Sequence, residues 1–441
     1  MLRTLRPVAS LLAGTALLLV GAGLLNTLIP LRGIAAGFSE ALLGCLTSAY
    51  YAGYFIGTFA MPPLIRRIGH IRAFAFCTAC AACIVLLYAF GTYPIAWLIL
   101  RLLTGIVLVG LYAIIESWLN AQAPAGKRGA VFATYMVVNL CGLALGQQLL
   151  RIPGEPFVLF AVVGLLVCAA TLPVLVTHQA QPQQQATPKL QLGLLFNVAP
   201  TAGAGALLSG LAMGAFWGLL PVYARASGFD TTTTGTYMSV AILGGAALQW
   251  PLGRLSDRHD RRIALALVSA AAALLALAAI AFGGALLPEM VTAFLFGGMS
   301  FAVYPILVAH LVDHAPPEDL LAASSSVLLV YGVGSALGPL IAGAAMSVFG
   351  AWSLFAWFSL SHGVLAVYAI WRYRVFRRVP TDTRHSSRCC APRPPQCDCW
   401  VPFAVPARPE TPDSPLQSLG NLPRRLEIHN APSVPAAPDN R

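Results

Sequence analysis

The chain has 441 residues, of which 58% are hydrophobic and 10% charged, and its formal net charge is +11. Soluble globular domains are roughly one-quarter charged, and a single soluble core cannot absorb this much apolar sequence, so the composition excludes that class and points to an integral membrane protein. The basic balance does not point to nucleic acid, because the arginines sit in short loops between apolar runs rather than in a stripe interleaved with aromatics, and in such loops they are a topology signal.

A membrane span needs about 20 apolar residues, and with no water to satisfy its backbone it must be helical. The first candidate, 8–31, is longer than the roughly 7–15 residues of a secretory leader's apolar region, so it reads as a retained span; it carries Asn26 at mid-length. The second, 42–65, runs into PPLIRRIGHIR, which holds Arg66, Arg67 and Arg72. The third, 73–92, contains Cys77, Cys80 and Cys83, a spacing that drifts around the helix and suits packing.

The fourth span, 94–121, holds two charges, Arg101 and Glu116. At 100° per residue, Trp97, Arg101, Leu108, Tyr112 and Glu116 fall within roughly a 100° stripe, and the two charges are about 22 Å apart along the axis. They cannot pair with each other, so each needs its own partner or water. The fifth span, 130–150, carries Gly142 and Gly146 in CGLALGQ, and the sixth is 156–177. The polar run THQAQPQQQATPKLQ then reads as a linker.

The seventh span, 199–225, contains Trp217, and the eighth, 234–254, leads into GRLSDRHDRR with Asp257, Arg258, Arg261 and Arg262. The ninth is 262–284, and the tenth, 288–312, contains Tyr304. The eleventh, 322–347, carries GVGSALGPLIAG, where Gly334, Gly338 and Pro339 give small-residue packing and a kink. The twelfth is 350–371. From Pro380 the composition turns to Pro, Arg, Asp and Ser; the spacing of Cys389, Cys390, Cys397 and Cys399 matches no strong zinc pattern, and the tail reads as disordered. The expected organisation is therefore a six-helix bundle over 1–177, a linker over 178–198, a second bundle over 199–379 and a tail over 380–441.

With the N-terminus placed in the cytoplasm, sixteen Lys and Arg fall in inner loops and ends, from Arg3 and Arg6 to Arg377 and Arg378, against three in outer loops, Arg32, Arg151 and Arg225. Both termini of this multi-pass chain are thus expected on the cytoplasmic side of the cytoplasmic (inner) membrane. The halves also repeat. At an offset of 191, Pro30, Gly44, Ser48, Gly53 and Arg67 meet Pro221, Gly235, Ser239, Gly244 and Arg258; at 192, Gly105, Tyr112, Gly142 and Gly146 meet Gly297, Tyr304, Gly334 and Gly338. Parallel repeats of this kind place a substrate site between the halves, near the midplane.

On these residues the chain resembles the major facilitator superfamily. GRLSDRHDRR is similar to its signature loop G-x-L-x-D-R-x-G-R-R, with Asp260 where a small residue is usual, while PPLIRRIGHIR keeps Arg67 and Gly69 but has Pro62 and Arg66 in place of Gly and Asp. NTLIPL, IESWLN, RGAVFATYMVVNLCGLALGQ and LQWPLGRLSDRHDRR resemble the bacterial YcaD-like branch. The resemblance implies an all-α fold of twelve helices in two pseudo-symmetric bundles, with the Arg101–Glu116 stripe facing a central cavity. It also implies that Asp257 faces a helix N-terminus of the opposite half while Arg258, Arg261 and Arg262 bridge neighbouring helices.

Three roles stand open for Glu116: a proton carrier, a cytoplasmic gate partner for Arg66, Arg67 or Arg72, or a static pair. Asn26, Tyr112, Trp217 and Tyr304 are placed with Arg101 in the cavity, a lining that suits an amphipathic small molecule. The expected function is secondary transport by rocking alternating access, as proton-coupled export; facilitated or proton-symport uptake, or a non-transporting scaffold, are the alternatives. No G-x-x-x-x-G-K-[ST], H-E-x-x-H or G-x-S-x-G motif appears, and only one acid is counted deep in a span, so neither ATP hydrolysis nor a membrane enzyme is expected. The expected partners are the bilayer, a small solute and protons, with no metal, cofactor or nucleic acid.

Overall fold

The computed structural model describes residues 8–123, 127–176, 190–283 and 285–375. The expected N-terminal charges Arg3 and Arg6, most of the linker with Lys189, and the cysteine-containing tail lie outside the described residues. Among the described residues twelve long helices follow one another: α1 (Ala9–Ala35), α2 (Glu40–Ile68), α3 (His70–Tyr88), α4 (Pro94–Gln122), α5 (Arg128–Gln148), α6 (Pro156–Ala169), α7 (Pro200–Ala226), α8 (Thr231–Arg258), α9 (Arg261–Ala281), α10 (Leu286–His314), α11 (Leu320–Phe349) and α12 (Ser353–Val375). After a break at Ala170, α6 is continued by the short helix Thr171–Leu175. The end of the expected linker is not irregular: Leu192–Val198 is a short helix whose Leu195 is fully buried.

Ten of the long helical segments are apolar enough to cross a membrane by length and composition. The remaining two, α2 and α8, are as long, at 29 and 28 residues. Their apolar content is diluted by Tyr50, Tyr51 and Tyr54 in one and by Thr234, Ser239 and Gln249 in the other. They occupy equivalent places in the two halves, and each packs on a helix of the opposite half, α2 on α11 and α8 on α5. Spans that face other protein rather than lipid can carry such residues.

Local signals fix the turns in the same way in both halves. Ser39 caps α2 by accepting a bond from the Leu42 amide, and Asp230 caps α8 by accepting from Thr233. The turns before them pass through Gly37 (φ 79°) and Gly228 (φ 89°), where a side chain would be strained.

The repeat holds atom for atom in the packing. A Cβ on Gly105 would collide with the Tyr50 carbonyl, and one on Gly297 with the Ala241 carbonyl. Likewise Gly146 abuts Val20 and Gly338 abuts Leu211. These glycines let α2 lie against α4, α1 against α5, and their counterparts do the same in the second half. Replacing Gly105 by Val is expected to destabilise the protein by about 3 kcal/mol or more, as overpacking against unyielding backbone does, whereas Gly332→Ala, where nothing lies within 4 Å, is expected to be neutral or better. Thermal unfolding of the purified proteins in detergent measures the difference.

Hereafter the end where α1 begins is the proximal end and the other is distal. The halves meet along two edges at the distal end. On one, α2 meets α11 through small residues: a Cβ on Gly343 would stand 2.7 Å from the Glu40 carbonyl oxygen and 3.0 Å from the Gly44 Cα. On the other, α5 meets α8 through polar side chains. Gln148 Nε2 donates to Ser239 Oγ (2.5 Å), Ser239 Oγ donates to the Ala144 carbonyl (2.8 Å), and Arg151 donates to Thr236 Oγ1 (3.0 Å). These three side-chain hydrogen bonds between described residues join the halves at the distal end.

Candidate functional site

The stripe on α4 is buried at Trp97, Arg101 and Leu108, half-buried at Tyr112 and exposed at Glu116. Pro94 opens the helix at a position where its missing N–H costs nothing. Trp97, fully buried, donates its indole N–H to the Gly91 carbonyl (2.8 Å) and packs edge-on against Phe38 and Tyr88. One turn later Arg101 is 3% exposed, with its guanidinium carbon 5.7 Å from the centre of the Tyr50 ring. Its Nε is shut off from solvent without an acceptor.

Further along, Tyr112 is half-buried and lies 6.5 Å, ring to ring, from Tyr54. Glu116 follows, and unlike the residues above it on the stripe its side chain is exposed although it stands on a helix at the centre of the chain's packing. Its Oε1 accepts a long bond from the Tyr135 hydroxyl (3.4 Å) on α5.

Tyr112 comes together with Trp217 in one cluster at the seam of the two halves, along with Leu19, Leu143, Ile242 and Phe301. Tyr304 stands on the second half's wall with its ring 4.7 Å from that of Tyr331, its hydroxyl buried without a partner. Asn26 is half-buried on α1 between buried Leu25 and Thr27. The close-packing residues Gly142, Gly146, Gly334, Gly338 and Pro339 are all buried, and Pro339 lies inside α11.

The proximal charges divide by half. Arg66 and Arg67 in the last turn of α2 and Arg72 in the first turns of α3 are exposed. Glu116 is ion-paired with none of them among the described residues. In the second half, Arg261 bridges Asp257 (2.7 Å) and Asp313 of α10 (2.7 Å), and Arg262 pairs with Asp260 (3.0 Å) and reaches the Arg372 carbonyl of α12. Asp257 is therefore engaged within its own half in this conformation, and Arg258 is exposed. Asp260, the departure from the signature, is the N-cap of α9: its carboxylate accepts from the Arg262 amide (2.9 Å). Partial burial pushes the Asp260 pKa up, but the bonds from Arg262 outweigh it and hold the carboxyl below its usual range.

The expectation of a single deep acid needs correction. Glu289, in the first turn of α10, is 0% exposed. Its two oxygens accept from Tyr223 of α7 (2.7 Å) and Tyr237 of α8 (3.2 Å). At the end of an apolar run a glutamate reads as an interfacial charge; the sign that it was interior is the repeat, which puts Glu289 where buried Trp97 stands in the first half. Glu289→Ala, leaving two buried hydroxyls without acceptors, is expected to cost about 1–3 kcal/mol and to lower the unfolding temperature, with Glu289→Gln losing less. The tyrosines of α2 were also missed. Their signal is YYAGY at 50–54, three aromatics around the glycine that touches α4.

The Major Facilitator Superfamily profile matches residues 11–287 and 202–409. The chain is also 31% identical over 339 residues to a protein described as "Uncharacterized MFS-type transporter YcaD" in Salmonella newport (strain SL254) and in Salmonella typhi, covering 76% of this chain and 87% of each relative. The chain belongs to the Major Facilitator Superfamily. This facilitator is accordingly a multi-pass membrane protein and a secondary transporter, not an enzyme. Solved structures agree on the fold. The nucleoside transporter NupG superposes with a TM-score of 0.70 at 15% identity, over 83% of this chain and 99% of that one. A bacterial homologue of the human lysosomal transporter Spinster, inward-facing and occupied, also gives 0.70 at 15% identity, over 84% and 97%.

Proposed function

We propose that this facilitator exports a small amphipathic solute across the cytoplasmic membrane in exchange for protons, by rocking its two bundles about the central cleft. The observation that carries the reading is Glu116: an exposed acid on the Arg101–Tyr112 stripe of α4, with a tyrosine hydroxyl beside it and no ion pair among the described residues. When the halves close over it, a bare carboxylate would lose water with nothing to replace it. Loading a proton before closure removes that cost, and releasing it on the other side couples the proton gradient to the movement.

In this reading both chain ends are cytoplasmic, the distal end faces the periplasm, and the present conformation is closed to the periplasm. The Lys and Arg distribution supports the orientation, and the distal position of these three inter-half bonds supports the state. Arg66, Arg67, Arg72 and the Asp257–Arg258–Arg261–Arg262 group then form the cytoplasmic rim that must come together in the opposite state. Asn26, Tyr112, Trp217 and Tyr304 line the path.

Purified protein in liposomes, screened against sugars, acids, amines and dyes under an imposed pH gradient, tests this. Solute entry driven by an acidic interior marks exchange against protons. Entry driven by an acidic exterior would instead mark symport. No solute movement and no counterflow under either gradient would reduce the protein to a scaffold and overturn the reading.

A further inference from the structure

Arg101 poses a problem that the transport reading leaves unsolved. A guanidinium taken out of water needs compensation from carboxylates or several acceptors. Among the described residues Arg101 has no ion pair, and its Nε has no acceptor. The Tyr50 ring at 5.7 Å offers a cation–π contact, which returns only a part of that cost. A structural arginine would spend its donors on backbone carbonyls; this one does not.

The surroundings of Arg101 have a direction. Tyr50 lies 5.2 Å from Tyr51 and 6.3 Å from Tyr54, ring to ring, and Tyr54 lies 6.5 Å from Tyr112. All four are half-buried, and one turn beyond Tyr112 stands exposed Glu116. The rings thus form a continuous aromatic wall leading from the solvent-reaching part of the cleft to the buried cation near its closed distal end. Among the described residues, the ionisable side chains that act on Arg101 are Tyr88, Tyr50 and Tyr51, none of them a cation. A lone guanidinium matches one negative charge, and its planar fork matches a carboxylate.

We propose that Arg101 is the anion subsite of the cavity: the solute is a small monocarboxylic acid whose carboxylate docks on Arg101 and whose apolar or aromatic body lies along Tyr50, Tyr51, Tyr54 and Tyr112. This rests on the transport reading of the same cleft and narrows it to a substrate class. Offset and edge-on packing against the rings holds the body without fixing its identity. An amine of the same shape is rejected, because it would bring a second positive charge to an uncompensated one.

The test uses the full-length protein in detergent and three probes of one shape: 4-phenylbutyrate, 4-phenylbutanamide and 4-phenylbutylamine. The acid is expected to raise the unfolding temperature in a concentration-dependent way, and the amide and amine are not. In Arg101→Gln the apparent Kd for the acid is expected to rise about 10- to 100-fold, the loss of a charge-assisted bond. Arg101→Lys is expected to keep the preference for acid over amide at reduced affinity, a selectivity that a purely structural arginine would not set. If Arg101→Gln does not fold, the lysine variant and the three-probe comparison in the unaltered protein still decide. No shift with the acid, equal shifts with acid and amine, or unchanged acid binding in Arg101→Gln would overturn the subsite. Binding that depends on Arg101, without counterflow of the acid in liposomes, would leave the subsite standing and overturn transport.

Discussion

Vesicles containing Glu116→Gln protein are expected to exchange solute in counterflow at close to the unaltered rate while failing to concentrate it when a pH gradient is imposed. Glutamine keeps the shape and the hydrogen bond from the Tyr135 hydroxyl but cannot lose a proton. Counterflow needs only that the cleft open to each side in turn. Accumulation needs in addition that a proton be carried back. With one proton exchanged per solute, a gradient of one pH unit sustains about tenfold accumulation, and this is expected to fall to none. Accumulation that survives intact would remove Glu116 from the coupling step. Loss of counterflow as well, at unchanged unfolding temperature, would place Glu116 in the gate or the solute site instead.

The second large effect concerns the seam between α2 and α11. A leucine in place of Gly343 puts side-chain atoms where the Glu40 carbonyl and the Gly44 Cα already stand. Because both neighbours are backbone, the clash is relieved by parting the halves rather than by a rotamer change. A wedge costing about 2 kcal/mol in the distally closed state shifts the balance of states about 30-fold toward distal opening. The measurement is labelling of Thr47→Cys by a membrane-impermeant maleimide, in a background lacking Cys45. Thr47 is buried where a Cβ on Gly218 of α7 would meet its side chain, so it reports on this seal. Labelling is expected to rise by the same factor. Unchanged labelling with normal folding would show that the seam does not limit opening.

Much of this architecture was legible because lipid enforces it. A run long enough to cross must be helical, and the repeat could be followed from Pro30 and Pro221 to Gly146 and Gly338 without coordinates. The glycine register proved to be a register of backbone contacts, since a group without a Cβ is needed wherever two helices touch carbonyl to carbon. Other features were hidden for physical reasons. Glu289 sits one turn inside α10, where hydropathy cannot tell a charge in the headgroup layer from one sealed by two tyrosines. The tyrosines of α2 were overlooked because aromatics fit lipid, core and cavity equally well; only their place between α4 and α11 separates these. The pairing of Asp257 with Arg261, within its own half, is set by the tertiary placement of α8 and α9, which composition does not encode.

The unequal edges of the distal seal have a mechanical consequence. Along α5 and α8 the halves are buttoned by Gln148, Ser239, Arg151 and Thr236, each bond contributing about 0.5–1.5 kcal/mol. Along α2 and α11, Gly44 and Gly343 bring backbone against backbone. In the proposed rocking, opening is then expected to start as a gape on the α2–α11 side, with the buttoned side serving as the fulcrum. The proposed rocking axis would then be tilted away from the two-fold that relates the halves, and a symmetric sequence repeat would produce an asymmetric swing.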